Sequence, residues 1–406
     1  MQKTVLSERP DWRAKAEEVG FTFADMHGEP YWDESSAYGF SLREIEHDIE
    51  DSATELHAMC REVAADAIKD EETLNQLGIP EEFRDLVAES WRASDPEVYG
   101  RFDLAYDGSG PAKLLEYNAD TPTSLYESAA FQWEWLEDQI AAGVLAEGDD
   151  QFNGIHEALV ERFRHLFQPG QDLHFTAIGG APEDYATVES MGWAAREAGL
   201  GAHYTDLEKI AVSDEGQFLD DQDRVIGVLF KLYPWEDLFR DDYARHLKTA
   251  NCLLLEPAWK ALLSNKGLLP LLWRKFEGHP NLLPAFFESD VAEAMAGTGA
   301  ARDPALFERS RDMLIHGHVS KPLFSREGAS IAIVEDGQVT DTSPDDTYAE
   351  HPRILQAYCP LPVFDGFRPV IGAWMVGEAC VGMGVREDRG RITQDLSRFK
   401  PHYIRD

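Results

Sequence analysis

Basic residues are scarce in this chain of 406 residues, which carries 37 lysines and arginines against 75 aspartates and glutamates. The formal net charge of -38 argues against any broad contact with the phosphates of a nucleic acid. A cationic partner is compatible with this charge. A solvated acidic surface that raises solubility or suits a salty cytosol is the more common cause of such a composition.

Cysteines and long apolar runs are also few. The four cysteines stand far apart without a CxxC pair, and the opening stretch MQKTVLSERPDWRAKAEE has no apolar core of a secretory signal. Charged residues interrupt apolar windows such as VIGVLFKLYPW well before the roughly 18 residues that a membrane helix needs. We therefore expect a reduced, cytoplasmic protein that does not contact membranes.

Several common functional motifs are missing as well. The chain has neither the GxxxxGK[ST] pattern of a Walker loop nor the GxSxG pattern of a hydrolase nucleophile. GMGVRE at 382–387 lacks the rest of a dinucleotide-binding pattern, and His316 and His318 lack the spacing and the third ligand of a zinc site. The sequence therefore offers no support for Walker-type, covalent-hydrolase or dinucleotide chemistry.

The chain is long enough and, with 43% hydrophobic residues, apolar enough to form two or three lobes. Apolar residues recur at helical spacing from about Ser41 to Trp91. The stretch TPTSLYESAAFQWEWLEDQI predicts a further helix, with one side formed by Leu125, Ala129, Trp133 and Leu136.

Strand and helix patterns alternate from about Asp172, as in HFTAIG followed by DYATVESMGWAAREAG, which predicts a partly parallel sheet. The last third, including SIAIVEDGQVT and PVIGAWMVGEACVGMGV, is rich in strand patterns. Together these patterns predict an α+β fold of several lobes with mixed sheets.

A predicted hairpin carries the first candidate site. In RFDLAYDGSGPAKLLEYNAD, two strands flank a DGSG turn, with Arg101 and Asp103 on one face of the first strand and Glu116 and Asn118 on one face of the second. Two carboxylates and an amide oxygen suit Mg²⁺, which completes its shell with water and phosphate oxygens. An exposed polar strand face is the alternative, but the apolar KLLEY stretch weakens it because buried carboxylates need a cation.

Two later segments suit nucleotide binding. In SKPLFSREGASIAIVEDG, Lys321 ends a short strand, and the basic loop at Arg326 and Gly328 offers side chains and N–H groups that suit phosphates. In ILQAYCPLP, Gln356 precedes an apolar strand end of the kind that lines an adenine pocket. An ordinary surface hairpin and a plain edge strand are the alternatives for these segments.

These segments resemble the synthetase domain of glutathionylspermidine synthases, and more closely the free-standing acid–amine ligases related to it. The resemblance runs in family order from about residue 100 to the C-terminus, through RFDLAYDG, KLLEYNADTPTSLYESAAFQWEWLED, VLFKLYPWEDL, LLEPAWKALLSNKGLLPLLW, SKPLFSREGASI and WMVGEACVGMGVRED.

The resemblance implies an ATP-grasp fold, in the circularly permuted form that resembles glutathione synthetase, with a helical N-terminal section. We expect residues 1–95 to form that section, 96–170 the metal-binding hairpin and helix, 171–255 an α/β substrate lobe, and 256–406 the nucleotide-binding lobes.

Members of this family join a carboxylate to an amine with ATP and Mg²⁺, and the resemblance implies roles for individual residues. Asp103, Glu116 and Asn118 match the magnesium ligands. Arg101 and Arg386 match arginines close to the transferred phosphate or acyl phosphate. The residues that match the nucleotide site are Lys266, Lys321, Arg326, Glu327, Gly328 and Gln356. On the substrate side we expect Thr121, Thr123, Glu183 and Trp235.

Three departures from the family pattern concern the acid substrate. Pro182 stands beside Glu183 where glutathione-using members have an acidic pair, Leu232 replaces a threonine, and Ser124 replaces a cysteine. We therefore expect ATP and Mg²⁺, a peptide-like carboxylate other than glutathione, and an amine such as a polyamine or an amino acid. A non-catalytic or regulatory ATP-binding protein and a kinase of a small acid are the alternatives.

Overall fold

The computed structural model describes residues 1–26, 28–297, 302–394 and 397–405. Helices and strands form a mixed α/β arrangement, so the predicted combination of both element types is confirmed. None of the described helices combines the length and the apolar character that crossing a membrane requires.

Five antiparallel strands form what we call the central sheet. Their spatial order is Arg398–Lys400, Ala379–Asp388, Arg368–Val376, Tyr99–Ala105 and Lys113–Asn118. The last two are the strands of the predicted hairpin, which is confirmed. The order places the C-terminal strands directly beside residues from the first third of the chain.

A second five-stranded antiparallel sheet, the outer sheet, is built from the last third of the chain. Its spatial order is Ala285–Phe287, Arg353–Ala357, Gly317–Pro322, Ala332–Glu335 and Gln338–Thr342. The accompanying helices are the 3-10 helix Ala258–Leu262 and the α-helices Leu268–Lys275, Glu288–Ala296 and Pro304–His316.

The predicted parallel sheet is also present. Its strands follow the order Leu253–Leu255, Val228–Leu232, Asp172–Ala177 and Gly201–Tyr204, all parallel to their neighbours. The elements around it are the α-helices Ile155–Leu166, Pro182–Glu197 and Trp235–Leu238, the 3-10 helices Leu207–Lys209 and Asp242–His246, and the short strand pair Ala211–Val212 and Phe218–Leu219.

The N-terminal part contains both strands and helices. The strands Gln2–Val5, Ser36–Phe40 and the C-terminal His402–Ile404 form one small sheet, and Asp25–Met26 pairs with Glu29–Pro30. The helices are Trp12–Glu18, the π-helix Glu44–Glu50, Asp51–Ala67, Glu71–Gln76, the 3-10 helix Glu81–Phe83, and Arg84–Ala93. One apolar core joins the helices of residues 44–93 to the central and outer sheets.

The helix after the hairpin departs from its predicted side. It begins as the π-helix Glu127–Phe131 and continues as the α-helix Gln132–Ala141. The predicted side included Trp133, but Trp133 is 38% exposed, whereas Trp135 is fully buried. A π turn holds more residues than an α turn, so the buried side moves relative to a regular 3.6-residue period. The same shift turns Glu127 inward, where it is 1% exposed.

Candidate active site

A buried ion network fixes the start of the hairpin. The Glu256 carboxylate accepts hydrogen bonds from the backbone N–H groups of Val98, at 3.0 Å, and Tyr99, at 3.1 Å. Lys260 Nζ donates to the Tyr99 carbonyl at 2.7 Å and pairs with Glu256 at 2.8 Å. Because buried charges persist only when they are paired and hydrogen-bonded, this network fixes the strand that carries Arg101.

The hairpin brings the four predicted residues of its strands together. Asp103 lies opposite Glu116 and Arg101 lies opposite Asn118 in the strand pairing. Arg101 donates to both oxygens of Asp103, from Nε at 2.8 Å and from Nη2 at 3.2 Å, and its Nη1 donates to the Thr123 carbonyl at 2.7 Å. This two-point contact sets the orientation of the guanidinium group.

Two lysines from distant parts of the chain act on the charge of Glu116. Lys266 Nζ lies 3.1 Å from Glu116 Oε2 and donates to the Ser325 carbonyl at 2.8 Å. Burial raises the pKa of Glu116, but the charges of Lys266 and Lys321 outweigh burial and lower it to about 2. Burial lowers the pKa of Lys321 to about 8, although Glu116 acts in the opposite direction. The lysines therefore form a cationic wall over an ionised carboxylate.

Lys321 faces a cavity between the central and outer sheets, which we call the lysine cavity. The lysine cavity has a volume of about 110 Å³. Its polar wall includes Asp103, Glu116, Lys321 and Gln356, and its apolar wall includes Val319, Ile333 and Val370. 

Gln356 holds Lys321 in this cavity. Lys321 Nζ donates to Gln356 Oε1 at 2.7 Å and to the Leu115 carbonyl at 2.9 Å, while Gln356 Nε2 donates to the Leu114 carbonyl at 3.0 Å. The outer sheet is thereby tied to the hairpin strand that carries Glu116. The apolar wall beside this polar contact has the character of a site for a flat heterocycle.

The loop after Lys321 closes over a neighbouring cavity, the loop cavity, whose lining includes Asn118, Thr121, Lys266 and Arg326. Arg326 donates to Thr121 Oγ1 at 2.9 Å and to Glu236 Oε1 at 2.8 Å, so the loop contacts both the hairpin exit and the parallel-sheet region.

Two residues of this loop have left-handed backbone conformations, Glu327 with a φ of 52° and Gly328 with a φ of 70°. A Cβ atom at position 328 would collide with the Thr393 carbonyl oxygen. Only glycine combines this conformation with so close a backbone approach, and Gly328 also lines the lysine cavity.

Arg386 lies on the same face of the central sheet as Arg101. Both line a third cavity, the arginine cavity, together with Asp103 and Ser124. Arg386 Nη2 donates to the Gln394 carbonyl at 2.7 Å. Gly372 leaves the room that Arg101 occupies, since a Cβ there would come within 2.9 Å of Arg101 Cδ.

Beyond Ser124 lies a group of carboxyl side chains that the sequence reasoning only partly found. Ser124 has a φ of 66°, and its Oγ lies 3.4 Å from Glu183 Oε1 and 3.0 Å from Tyr31 Oη. Tyr31 Oη donates to Glu127 Oε1 at 2.6 Å. We call Glu127, Glu183 and Asp184 the carboxylate cluster. The sequence does not predict that Glu127 is buried, because a regular helical period does not turn it inward.

Trp235 stands apart from the other predicted residues. It is 1% exposed, its backbone N–H donates to Asp120 Oδ2 at 2.9 Å, and its indole N–H donates to the Glu256 carbonyl at 3.1 Å. Lys231 Nζ donates to the other Asp120 oxygen at 2.8 Å. Asp120 thus ties the hairpin exit to the parallel sheet, and Trp235 packs inside that junction.

The donor set of the hairpin fits a hard divalent cation. Burial and the neighbouring Glu116 raise the pKa of Asp103, although the charge of Arg101 lowers it. The positive charge of Arg101 therefore does not offset burial and Glu116 at this carboxyl group. Within the described part of the chain, no three His, Cys, Asp or Glu side chains are arranged to hold a metal ion. Two carboxylates and Asn118 suit Mg²⁺ because it retains water and accepts phosphate oxygens.

The chain is similar to several named proteins along most of its length. It is 40% identical to a Haemophilus influenzae protein named "Putative acid--amine ligase", over 99% of this chain and 98% of that protein. It is 26% identical to trypanothione synthetase of Crithidia fasciculata, over 84% of this chain and 52% of that protein. It is 23% identical to the bifunctional glutathionylspermidine synthetase/amidase of Escherichia coli, over 96% of this chain and 63% of that protein.

A solved structure of a glutathione synthetase-like effector from Globodera pallida covers 98% of both chains, with a TM-score of 0.54 and 11% identity, which is a likeness of fold alone. The family model described as glutathionylspermidine synthase preATP-grasp matches residues 3–405, and the chain therefore belongs to that family.

Proposed function

We propose that this protein is an ATP-dependent carboxylate–amine ligase that forms an amide through an acyl phosphate. The observation that carries the proposal is the pairing of Lys266 with Glu116 and of Arg101 with Asp103. Lys321 lies beside them, held by the Leu115 carbonyl and Gln356, and cavities adjoin all of these residues. The printed names of the relatives, which are ligases and synthetases, support the same reaction class.

The proposal includes a fold and its division into parts. The fold is a circularly permuted ATP-grasp fold, with residues 1–95 as an N-terminal section and 96–170 as the metal-binding hairpin and helix. Residues 171–255 form the substrate lobe, and residues 256–406 form the nucleotide-binding lobes.

The nucleotide occupies the lysine cavity, with its base against the apolar wall and its phosphates toward Lys266 and Lys321. Asp103, Glu116 and Asn118 would hold Mg²⁺, which would neutralise charge on the phosphates. Arg326 and the backbone of Glu327 and Gly328 cover the phosphates, and Gln356 keeps Lys321 in place.

The acid occupies the arginine cavity, where Arg101 and Arg386 bind the carboxylate and then the acyl phosphate. A carboxylate oxygen leaves poorly, so it first attacks the γ-phosphorus of ATP, which releases ADP and yields an acyl phosphate. The neutral amine nitrogen then attacks the acyl carbon. Inorganic phosphate departs with the C–O electron pair, and the nitrogen loses a proton to it. Such a sequence asks the protein mainly for positioning and charge stabilisation.

Closure of the loop at Arg326 protects the acyl phosphate from water. Thr121 and Thr123 belong to the substrate-facing loop, and Glu183 contacts the substrate beyond Ser124. Trp235 supports this region from behind, through the junction at Asp120.

The acid is a peptide-like carboxylate other than glutathione, and the amine is a polyamine or an amino acid. Pro182 cannot supply the second acidic group that glutathione-using members have beside Glu183, and the buried Leu232 offers no hydroxyl group. The same altered subsite favours one second candidate, a non-catalytic or regulatory ATP-binding protein.

Incubation with ATP, Mg²⁺ and pooled small peptides, amino acids and polyamines, followed by mass spectrometry, tests the proposal. A ligase yields ADP together with a product whose mass equals that of an acid plus an amine less water. A stable phosphorylated acid would instead identify a kinase. Bound ATP without ADP formation would favour the non-catalytic candidate.

A further inference from the structure

The parallel sheet is covered differently on its two faces. Phe230 and Leu232 point to one face, where they share an apolar core with the helix Pro182–Glu197. Leu229 and Lys231 point to the other face. Its cover includes only short elements, namely the 3-10 helices Leu207–Lys209 and Asp242–His246 and the strand pair Ala211–Val212 and Phe218–Leu219. Parallel sheets are normally buried on both faces, so this short cover leaves a space that a second helix would otherwise fill.

A cavity of about 360 Å³ lies between the sheet and this cover, and we call it the sheet cavity. Its volume exceeds that of the lysine cavity and lies in the range of small-molecule sites. Its apolar walls include Ile210, Phe218, Leu229, Leu247 and Leu254. Protein interiors are close-packed and rarely leave voids much larger than a water molecule. An apolar space of this size therefore suits the apolar body of a ligand.

Two carboxylates belong to the lining of the sheet cavity, those of Glu208 and Asp241. Glu208 Oε2 accepts a hydrogen bond from the backbone N–H of Gly179 at 3.1 Å. Asp241 Oδ1 accepts one from the backbone N–H of Tyr243 at 2.8 Å. These neutral donors orient the carboxylates and leave their negative charge in place.

The basic residues closest to these carboxylates in the lining and in the chain are engaged elsewhere. Lys231 also lines the cavity, but its Nζ donates to Asp120 Oδ1 at 2.8 Å and to the Tyr233 carbonyl at 2.9 Å. Lys209, next to Glu208 in the chain, pairs with Asp206 at 2.7 Å. The charge that the sheet cavity offers to a ligand is therefore negative.

The combination of apolar walls and negative charge selects the kind of ligand. An anionic ligand would meet like charge at Glu208 and Asp241. A metal ion would need several convergent ligands, and the described residues contain no group of three His, Cys, Asp or Glu side chains suited to one. An apolar amine satisfies both features, because its body leaves water for the apolar walls and its ammonium group donates to a carboxylate.

We infer that the sheet cavity binds an apolar organic amine, with its aromatic or aliphatic body against the apolar walls and its ammonium group at the Glu208 and Asp241 carboxylates. The cavity lies on the face of the sheet opposite to Leu232 and the helix Pro182–Glu197, so it is separate from the acid and nucleotide sites proposed above. The inference therefore goes beyond the proposed function and does not depend on it.

Calorimetric titration at pH 7 with three probes that share one body and differ in charge tests the inference. The probes are 4-phenylbutan-1-amine, 4-phenylbutan-1-ol and 4-phenylbutanoate. The protein is loaded with Mg²⁺ and a non-hydrolysable ATP analogue, so that the proposed nucleotide site is occupied. We expect the amine to bind with one molecule per chain, the alcohol to bind severalfold more weakly, and the carboxylate to bind most weakly, because only the amine is attracted by both carboxylates.

Two variants separate the contribution of the apolar walls from that of the charge. Leu207→Trp fills the cavity from its half-buried edge and weakens the amine and the alcohol alike by about 10-fold or more. The double variant Glu208→Gln, Asp241→Asn keeps acceptors for the backbone N–H groups. It weakens the amine by about 5-fold and leaves the alcohol unchanged. Asp214→Asn, an exposed acid outside the cavity lining, is the matched control and leaves all three affinities unchanged.

Thermal unfolding checks that each variant is folded, and if Leu207→Trp does not fold, the double variant carries the test. Absence of amine binding by the native protein, or tightest binding of the carboxylate, overturns the inference. Undiminished amine binding by the folded variants, or an equal loss in Asp214→Asn, overturns it as well. Absence of ATP turnover would refute only the proposed function.

Discussion

The lysine cavity and the carboxylate cluster lie on two sides of the arginine cavity. They differ in how their buried carboxyl groups are paired. In the lysine cavity, Glu116 is ionised and its charge is met by Lys266 and Lys321. In the carboxylate cluster, one oxygen of Glu127 has no donor among the residues that the structure describes, and burial raises its pKa to about 7. The first place therefore pairs its buried carboxylate with cations, whereas the second disfavours the ionised carboxylate.

The largest expected effect comes from a substitution of Glu116 in the lysine cavity. Glu116→Ala removes the ion-pair partner of Lys266 and a proposed magnesium ligand. ADP formation therefore falls by about 100-fold or more, which corresponds to roughly 3 kcal/mol. Asp107→Asn, in the exposed turn of the same hairpin, is the control and retains full turnover. Comparable rates for both variants would show that the hairpin carboxylates have no part in phosphoryl transfer.

The free energy of unfolding tests the charge state of the carboxylate cluster. Burial disfavours ionised Glu127, so the free-energy cost of its charge grows as pH rises from about 4.5 to about 7 and is constant above that. Glu127→Gln removes the cost, and urea unfolding should show a gain on the order of 3 kcal/mol at pH 8 and a smaller gain at pH 5.5. Glu137→Gln, exposed on the adjoining helix, should change little. An equal gain at both pH values would contradict the pKa shift.

Lys321→Gln tests the lysine cavity without removing the hairpin carboxylates. Loss of a charge-assisted contact to phosphate costs about 1.5–3 kcal/mol, so the Kd for ATP rises by roughly 10-fold or more. Lys248→Gln, on an exposed part of the parallel-sheet region, is the control. Unchanged ATP affinity in Lys321→Gln would place the nucleotide elsewhere.

The smallest expected effect concerns the loop over the phosphates. Gly328→Ala introduces a left-handed alanine whose Cβ collides with the Thr393 carbonyl, so turnover falls severalfold. Gly337→Ala shares a positive φ, of 75°, but has open space around its Cβ position. The difference in turnover between these two variants separates the effect of the collision from that of the backbone strain. Equal turnover by both would show that loop packing at Thr393 is unimportant.

The sequence alone predicts the hairpin and its polar face, because alternation along two strands and a DGSG turn are local features. It does not reveal Lys231 as the partner of Asp120, since the two are 111 residues apart and meet only through tertiary packing. It also misses Glu127, because the π-helix changes which side of the helix is buried. Lys266 comes from the family resemblance alone, and no local pattern predicts that it pairs with Glu116.

The most direct test of the account follows an oxygen atom. When pooled carboxylic acids labelled with ¹⁸O in the carboxylate are incubated with ATP, Mg²⁺ and amines, an acyl-phosphate route transfers one ¹⁸O atom to inorganic phosphate for each amide formed. We predict labelled phosphate in equal amount to the amide, and neither in Glu116→Ala. Amide formation with unlabelled phosphate, or ATP consumption without any amide, would contradict the proposed ligase mechanism.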